Sequence, residues 1–290
     1  MCCNGWINSL RRAVAKAIAL LLLGAVCSLG AHAAPKAERW PYFEPHDPDN
    51  PAQVDHRIWD FFLRRYLRQP DDGIARLAYA EVDTENRLKL SVYLSNLQRT
   101  PIRGYSRAEQ RAFWINFYNA ATVKLILDRY PVRSIRDIDI TPGLFAKGPW
   151  GARRLKADGQ TVSLDDIEHR ILRPIWKDPR IHYAVNCASL GCPNLAPRAF
   201  TAKNTEELLE AGARDYVNHP RGARLENGKL IVSSIYEWFK ADFGGNDAGV
   251  IDHLIRYAHP PLKAQLADIR KISDDEYDWS LNDVAPARRP

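Results

Sequence analysis

Ser106-Arg-Ala-Glu-Gln-Arg-Ala-Phe-Trp-Ile-Asn-Phe-Tyr-Asn-Ala-Ala-Thr-Val-Lys-Leu-Ile-Leu-Asp-Arg-Tyr-Pro131 reads as one long helix with both ends written into it. Ser106 and Glu109 have capping-box spacing: the hydroxyl can accept from the amide of Glu109 while the carboxylate reaches back. Pro131 disfavours helical backbone before it and ends the helix near Arg129 and Tyr130. From Ala112 to Leu127 the segment is apolar on nearly every face, so the helix is expected to be buried all round and to carry the core. Asn116 and Asn119 lie inside it, one turn apart on one side. A buried amide left without partners costs about 1–3 kcal/mol, so both must be bonded. Either they tie neighbouring backbone to the helix, or one orients a catalytic group, as asparagine does in cysteine–histidine hydrolases.

Outward from this helix the pattern stays mainly helical. Towards the N-terminus, Trp59, Phe62, Leu63, Tyr66 and Leu67 recur at helical spacing until Pro70-Asp-Asp-Gly73. Residues 74–98 are ambiguous, with Leu88 to Leu97 favouring a helix. Residues 131–152 read as loop. Arg153 to Val162 predicts a hairpin turning at Asp158-Gly159. Ser163-Leu-Asp-Asp166 caps a second helix, which carries Glu168 and His169 and ends near Pro174. Adjacent residues point about 100° apart, so these two are not expected to partner each other; Asp165 and His169, at i and i+4, are. Thr205 to Val217 predicts a helix, Arg224 to Ser233 a hairpin turning at Asn227-Gly228, and Ile235 to Phe243 and Ala248 to Tyr257 two further helices. The class is α+β: a predominantly helical single domain with a buried central helix and a small set of short strands and hairpins.

The N-terminus predicts a leader. Arg11, Arg12 and Lys16 precede an apolar run from Ala17 to Leu29, and Ala31-His-Ala33 is an A-x-A cleavage pattern. Residues 1–33 are therefore read as a secretory signal peptide, 34–54 as an extended arm, 55–283 as the domain and 284–290 as a disordered tail. The expected location is periplasmic or secreted, with no transmembrane segment after signal removal. Whether export is Sec or twin-arginine is left open. The formal net charge of +6 falls by three when the leader's basic residues are removed. A nearly neutral surface gives no case for nucleic acid. Expected partners are instead a small-molecule or peptide substrate of the envelope.

Chemistry concentrates in Asp178-Pro-Arg-Ile-His-Tyr-Ala-Val-Asn-Cys-Ala-Ser-Leu-Gly-Cys-Pro193. Alternation at Ile181, Tyr183 and Val185 predicts a short buried strand, and Gly191 and Pro193 a tight loop. Cys187 and Cys192 are the only cysteines beyond the leader. In an exported chain they suggest a local disulfide; a free nucleophilic thiol or a ligand is the alternative. On a strand, His182 and Cys187 would lie roughly 16 Å apart on opposite faces, which makes His169 the better base. His182 reads equally as a satisfied core residue, and Arg180 as the anchor of a loop carboxylate. His169, His182, Glu168 and the two cysteines are zinc-ligand types without zinc-site spacing, so no metal or other cofactor is expected. There is no G-x-S-x-G elbow, G-x-G-x-x-G or phosphate loop.

Four blocks together resemble the DUF547 family: Phe113 to Ala120, Ser163 to His169, Asp178 to Pro193, and Tyr277-Asp-Trp-Ser-Leu-Asn282. The resemblance spans roughly residues 75–282. It implies a domain of unknown function, found in bacterial exported proteins and in plant proteins behind a coiled coil, an arm this chain lacks. Its recurring polar positions fall on Asn116, Asn119, Glu168, His169, Arg180, His182, Cys187 and Cys192. Its occurrence in reducing compartments argues against an obligatory disulfide. A long buried helix followed by a histidine-bearing strand is loosely papain- or transglutaminase-like, a fold-level analogy only. The expectation is a thiol-dependent hydrolase or acyl transferase. Cys187 is its nucleophile, His169 its base, Glu168 or Asn119 the orienting group, His182 a substrate-side or supporting donor, and Asn116 and Arg180 the substrate contacts. The competing expectation is a non-catalytic binding domain stiffened by a Cys187–Cys192 disulfide. A metal-dependent hydrolase stands behind both.

Overall fold

The central helix forms as its ends dictate, over Arg107–Arg129. The Ser106 hydroxyl accepts from the amide of Glu109 at 3.4 Å. The Glu109 carboxylate is used elsewhere, accepting from the amide of Val54 at 3.3 Å. This computed structural model describes residues 35–143 and 148–284. The leader read over residues 1–33, and the tail beyond Val284, lie outside the described residues. Ala112 to Val123 is an unbroken buried run. Trp59, Phe62, Tyr93, Leu94, Ile167, Ile181 and Val185 belong to the same core cluster. Residues 35–54 run along its flank: Phe43 is buried edge-on to Trp114, and the Arg170 guanidinium lies 4.4 Å above Trp40.

The mostly helical α+β class holds, with helices Arg57–Tyr66, Thr84–Arg99, Thr205–Asn218 and Asp247–Tyr257 among the described elements. Both predicted hairpins form. Leu155–Ala157 pairs with Gln160–Val162, and Ala223–Glu226 with Lys229–Ser233. Each turns on two residues of positive φ, Asp158-Gly159 and Asn227-Gly228, the conformation that matches strand twist. Three elements escape the one-dimensional pattern. Leu67–Arg68 and Arg76–Leu77 close a small antiparallel pair, Pro260 opens a helix instead of only ending one, and Asp274–Glu276 pairs in parallel with Lys229–Ser233. Among the described residues, no helix is long and apolar enough to cross a membrane.

Two corrections bear on the chemistry. Asp178–Tyr183 is not a strand: Pro179–Tyr183 is a 3-10 helix, capped by Asp178, whose carboxylate accepts from the amide of Arg180 at 2.9 Å. Asp followed by Pro is a helix-start signature, and it outweighs a three-residue alternation. The geometry that set His182 and Cys187 on opposite strand faces therefore does not apply. The helix after Ser163 also differs from expectation. Its cap is reciprocal, with the Ser163 hydroxyl accepting from the Asp166 amide and the Asp166 carboxylate from the Ser163 amide, both at 3.0 Å. Asp166–Leu172 then winds as a π-helix, and Pro174 sits inside the following turn, Arg173–Trp176, without ending it. Wide π turns break the usual i to i+4 ladder and recur at functional sites.

Candidate functional site: a thiol cluster beside a buried ion network

The loop after the 3-10 helix is held by asparagines. Asn119 donates to the Ala184 carbonyl and accepts from the Asn186 amide, both at 2.8 Å. Asn186 in turn accepts from the Ala188 amide at 2.8 Å and donates to the Pro193 carbonyl at 2.7 Å, pinching the loop from both ends. Ala188 adopts φ +58°, a left-handed conformation costing a non-glycine residue roughly 1–2 kcal/mol. The C-terminal segment lies against this loop: the amides of Leu190 and Gly191 donate to the carbonyls of Ser280 and Asp278, each at 2.8 Å. A Cβ on Gly191 would meet the backbone of Asp278 at 2.8 Å, so only glycine admits this approach.

This folding gathers four polar side chains. Cys187 and Cys192 are free thiols with sulfurs 3.1 Å apart, and the Cys187 amide donates to Cys192 Sγ at 3.0 Å. Ser189 Oγ and Tyr277 OH lie 3.2 and 3.0 Å from Cys187 Sγ. Cys187 is partly exposed, whereas Cys192 is buried. The two thiols are driven apart electrostatically. The hydrogen bond from Cys192, aided by Ser189 and Tyr277 and opposed by burial, holds Cys187 below the ordinary thiol value. Burial and the neighbouring Cys187 push Cys192 well above it. The Tyr277 ring meets Trp238 and Trp279 at 4.8 and 4.7 Å, and Trp150 meets Trp279 at 5.7 Å, all partly exposed.

The histidines belong to a neighbouring network. His182 is buried at the seam of the two cores, with Ile181 in the first and Tyr183 in the second. Its Nδ1 is 3.6 Å from Glu168, its Nε2 is 2.7 Å from Asp242, and its ring stacks on Phe239 at 4.2 Å. Arg173 donates to Asp242 at 2.6 Å and to His169 Nδ1 at 3.0 Å. Burial opposes a charge on His182, but Asp242 and Glu168 outweigh it and raise the imidazole above its ordinary value. Burial also opposes the Glu168 charge; the surrounding His169, His182 and Arg173 more than offset it, bringing the carboxyl down to about 2. Burial brings His169 down to about 4, so it is neutral at pH 7. Asp165, 3.7 Å from His169 Nε2, goes the other way: burial and the charges of Glu168 and Asp166 raise it to about 7.

Several expected roles change. His169 has Arg173 on Nδ1 and Asp165 facing Nε2. The hydrogen bonds at Cys187 Sγ among the described residues are with Cys192, Ser189 and Tyr277, so His169 is not the hydrogen-bonded base of that thiol. Glu168 and His169, read as pointing apart, come within 3.9 Å on the π turn. Asn116 spends its amide on the Phe200 carbonyl and amide, at 2.8 and 3.0 Å, and offers a substrate nothing. Arg180 grips Asp178 and Glu206, each at 2.7 Å, so its guanidinium is an anchor. Asn119 orients the backbone beside Cys187 and no side chain. Glu168 does reach the thiol region: its charge opposes ionisation of Cys187, and Tyr118 feels Glu168, Cys187, Cys192 and Asp165 together. A cleft of about 440 Å³, lined by Arg39, Arg173, Lys177, Asp178 and Asp242 among others, reaches the ion network but not the thiols. Among the described residues, no group of three or more His, Cys, Asp or Glu side chains is set to hold a metal ion.

Sequence reasoning missed Asp242, Arg173, Trp238 and Trp150. Charged Arg173 and Asp242 beside the apolar residues of their helical segments are the available signal, since buried charges are paired. Fold and site thus define a mostly helical α+β domain carrying a partly exposed, acidified cysteine bonded to a tyrosine that packs on two tryptophans. Residues 102–217 match the family described as "Protein of unknown function, DUF547". The match takes in the central helix, the π-helix and both cysteines, and stops before Trp238, Asp242 and Tyr277. No curated protein and no solved structure matches the chain.

These charges predict a stability profile peaking near neutral pH. His56, His169 and His253 are all brought down to about 4 by burial. The unfolded chain therefore takes up protons as pH falls from 6.5 towards 4, and stability is lost there. Glu168 adds a further loss as pH falls from its ordinary 4.5 towards 2. Asp165, raised to about 7, and His182, raised from 6.5, act oppositely. Their contributions are full below the unfolded values and vanish as pH rises through the folded ones. Thermal midpoints measured from pH 4 to pH 9 should fall on both sides of neutrality. A midpoint flat between pH 4 and 6.5 would contradict the buried neutral histidines.

Proposed function

We propose that this domain is a thiol-dependent hydrolase or acyl transferase with Cys187 as nucleophile. The observation that carries the reading is the convergence of three hydrogen-bonding groups, Cys192, Ser189 and Tyr277, on the sulfur of a partly exposed cysteine. A thiolate held in this way needs no paired imidazole; its proton leaves to water. The thiolate attacks the carbonyl carbon of an ester or amide, a C–S bond forms, and the C–O or C–N bond breaks. The leaving group takes a proton from water, and water or a second acceptor then cleaves the thioester. The Ser189 and Tyr277 hydroxyls lie against the reacting sulfur, and the Tyr277 ring packs on Trp238 and Trp279. The strained Ala188 beside the nucleophile fits a loop kept for chemistry. Export to the periplasm and an envelope-derived acyl substrate belong to the same reading and rest on the leader pattern of residues 11–33.

The test is the pH dependence of alkylation. With iodoacetamide, Cys187 should react with an inflection below the ordinary thiol value of 9.0, and Cys192 should stay protected. A p-nitrophenyl ester should leave a hydroxylamine-labile acyl group on Cys187, absent in Cys187→Ser. Alkylation that begins only above pH 9, or no acyl adduct on a reactive Cys187, overturns the assignment.

A further inference from the structure

We propose that Cys187 and Cys192 form a working dithiol that exchanges with low-molecular-weight disulfides, with Cys187 attacking and Cys192 resolving. The arrangement rests on geometry. The sulfurs lie 3.1 Å apart, and the Cys187 amide is directed at Cys192 Sγ. Asn186 clamps the backbone on either side of the loop, so closure needs a movement of roughly 1 Å and no rearrangement of the chain. Access divides the roles: Cys187 is partly exposed, while Cys192 is 4% exposed and approached only from within. An incoming disulfide therefore meets one sulfur first.

The electrons balance in two steps. The Cys187 thiolate attacks one sulfur of RSSR, a mixed disulfide forms at residue 187, and RS⁻ departs. Cys192 then gives its proton to RS⁻, and its sulfur attacks Cys187 Sγ. The mixed disulfide breaks, a second RS⁻ leaves and takes a proton from water, and the Cys187–Cys192 bond closes. The dithiol has lost two electrons and RSSR has become two thiols. Excess low-molecular-weight thiol runs the sequence backwards.

Two features support exchange over a permanent cross-link. With the two cysteines unbonded, the asparagine clamps already hold the loop in the shape that brings the sulfurs together. Tyr277 and Ser189 also stay within hydrogen-bonding distance of Cys187, solvating its thiolate when the bond reopens. The inference shares with the acyl-transfer reading only the nucleophilicity of Cys187, and the two can fail separately.

The full chain should be reduced, freed of reductant and incubated with glutathione disulfide, then quenched with N-ethylmaleimide and mapped by mass spectrometry. Wild type should lose two hydrogens, carry no glutathione and yield a 187–192 linked peptide that dithiothreitol reopens. Cys192→Ser should instead accumulate glutathione at Cys187, and Cys187→Ser should not react at Cys192. A stable glutathione adduct on the wild type, or no reaction of the wild type, overturns the proposal. Both of these are read on the unmutated protein, so a variant that misfolds does not rescue it. Acyl capture on Cys187 without disulfide closure would leave the hydrolase reading standing and remove this one.

Discussion

His182→Leu is expected to destabilise the domain by about 3–5 kcal/mol, because it leaves Glu168 buried without the imidazole that faces it. His182 is 2.7 Å from Asp242 and 3.6 Å from Glu168, inside a wall made by Phe239 and Phe243. Asp242 keeps Arg173 in the variant, so most of the penalty falls on Glu168. The sign of the pH effect follows. With the His182 imidazole gone and only His169 and Arg173 left to oppose burial, Glu168 takes up a proton above its native value of about 2, and the variant's deficit shrinks as pH falls into the ordinary carboxyl range. Adding Glu168→Gln to His182→Leu should recover part of the loss at pH 7. Urea unfolding of the four proteins of this cycle gives the coupling directly. A loss under 1 kcal/mol for His182→Leu, or no coupling with Glu168, would mean that the network is not charged as described.

Asn119→Leu carries the second large effect. It strips a partner from the Ala184 carbonyl and from the Asn186 amide, both within buried residues, for a loss of about 2–4 kcal/mol. Asn116→Leu removes an equivalent pair of bonds to Phe200 and should cost a similar amount. The two variants part company at the thiol. Asn186 holds both ends of the cysteine loop, so loosening its amide moves Cys187 away from Cys192, Ser189 and Tyr277. In Asn119→Leu the alkylation inflection of Cys187 should rise towards the ordinary thiol value; in Asn116→Leu it should stay. Equal shifts in both would mean that general loosening, not the Asn119 clamp, sets the thiol's acidity.

This comparison also marks how the central helix was legible. Its start, its end and its complete burial follow from local rules: a serine–glutamate cap, a proline stop and an apolar face without a gap. That two asparagines in it must be bonded was legible too, since an unpaired amide in a core is costly. Which backbone they bond was not, because Phe200 and Ala184 are distant in the chain. The stretch from Asp178 misled for a related reason. Alternation over three apolar residues mimics a strand, while the Asp-Pro start and burial against two cores favour a 3-10 turn. With the strand went the expectation that Cys187 needed His169.

The sequence by itself determined the α+β class, the long buried helix, the two glycine-turned hairpins and the concentration of reactive side chains around residues 165–193. Each depends on patterns within a turn or two of the chain. Tertiary structure alone decided the company those side chains keep. Asp242 reaches His182, Tyr277 reaches Cys187 and the Asp278–Ser280 backbone seals the cysteine loop, contacts 60 and 90 residues apart for the first two. Such pairings are fixed by how the second core packs on the first, and no local spacing encodes them. The state of Cys187 follows from that packing: it is acidified by a second thiol, a serine and a tyrosine, and not by the histidine that lies nearest to it in sequence.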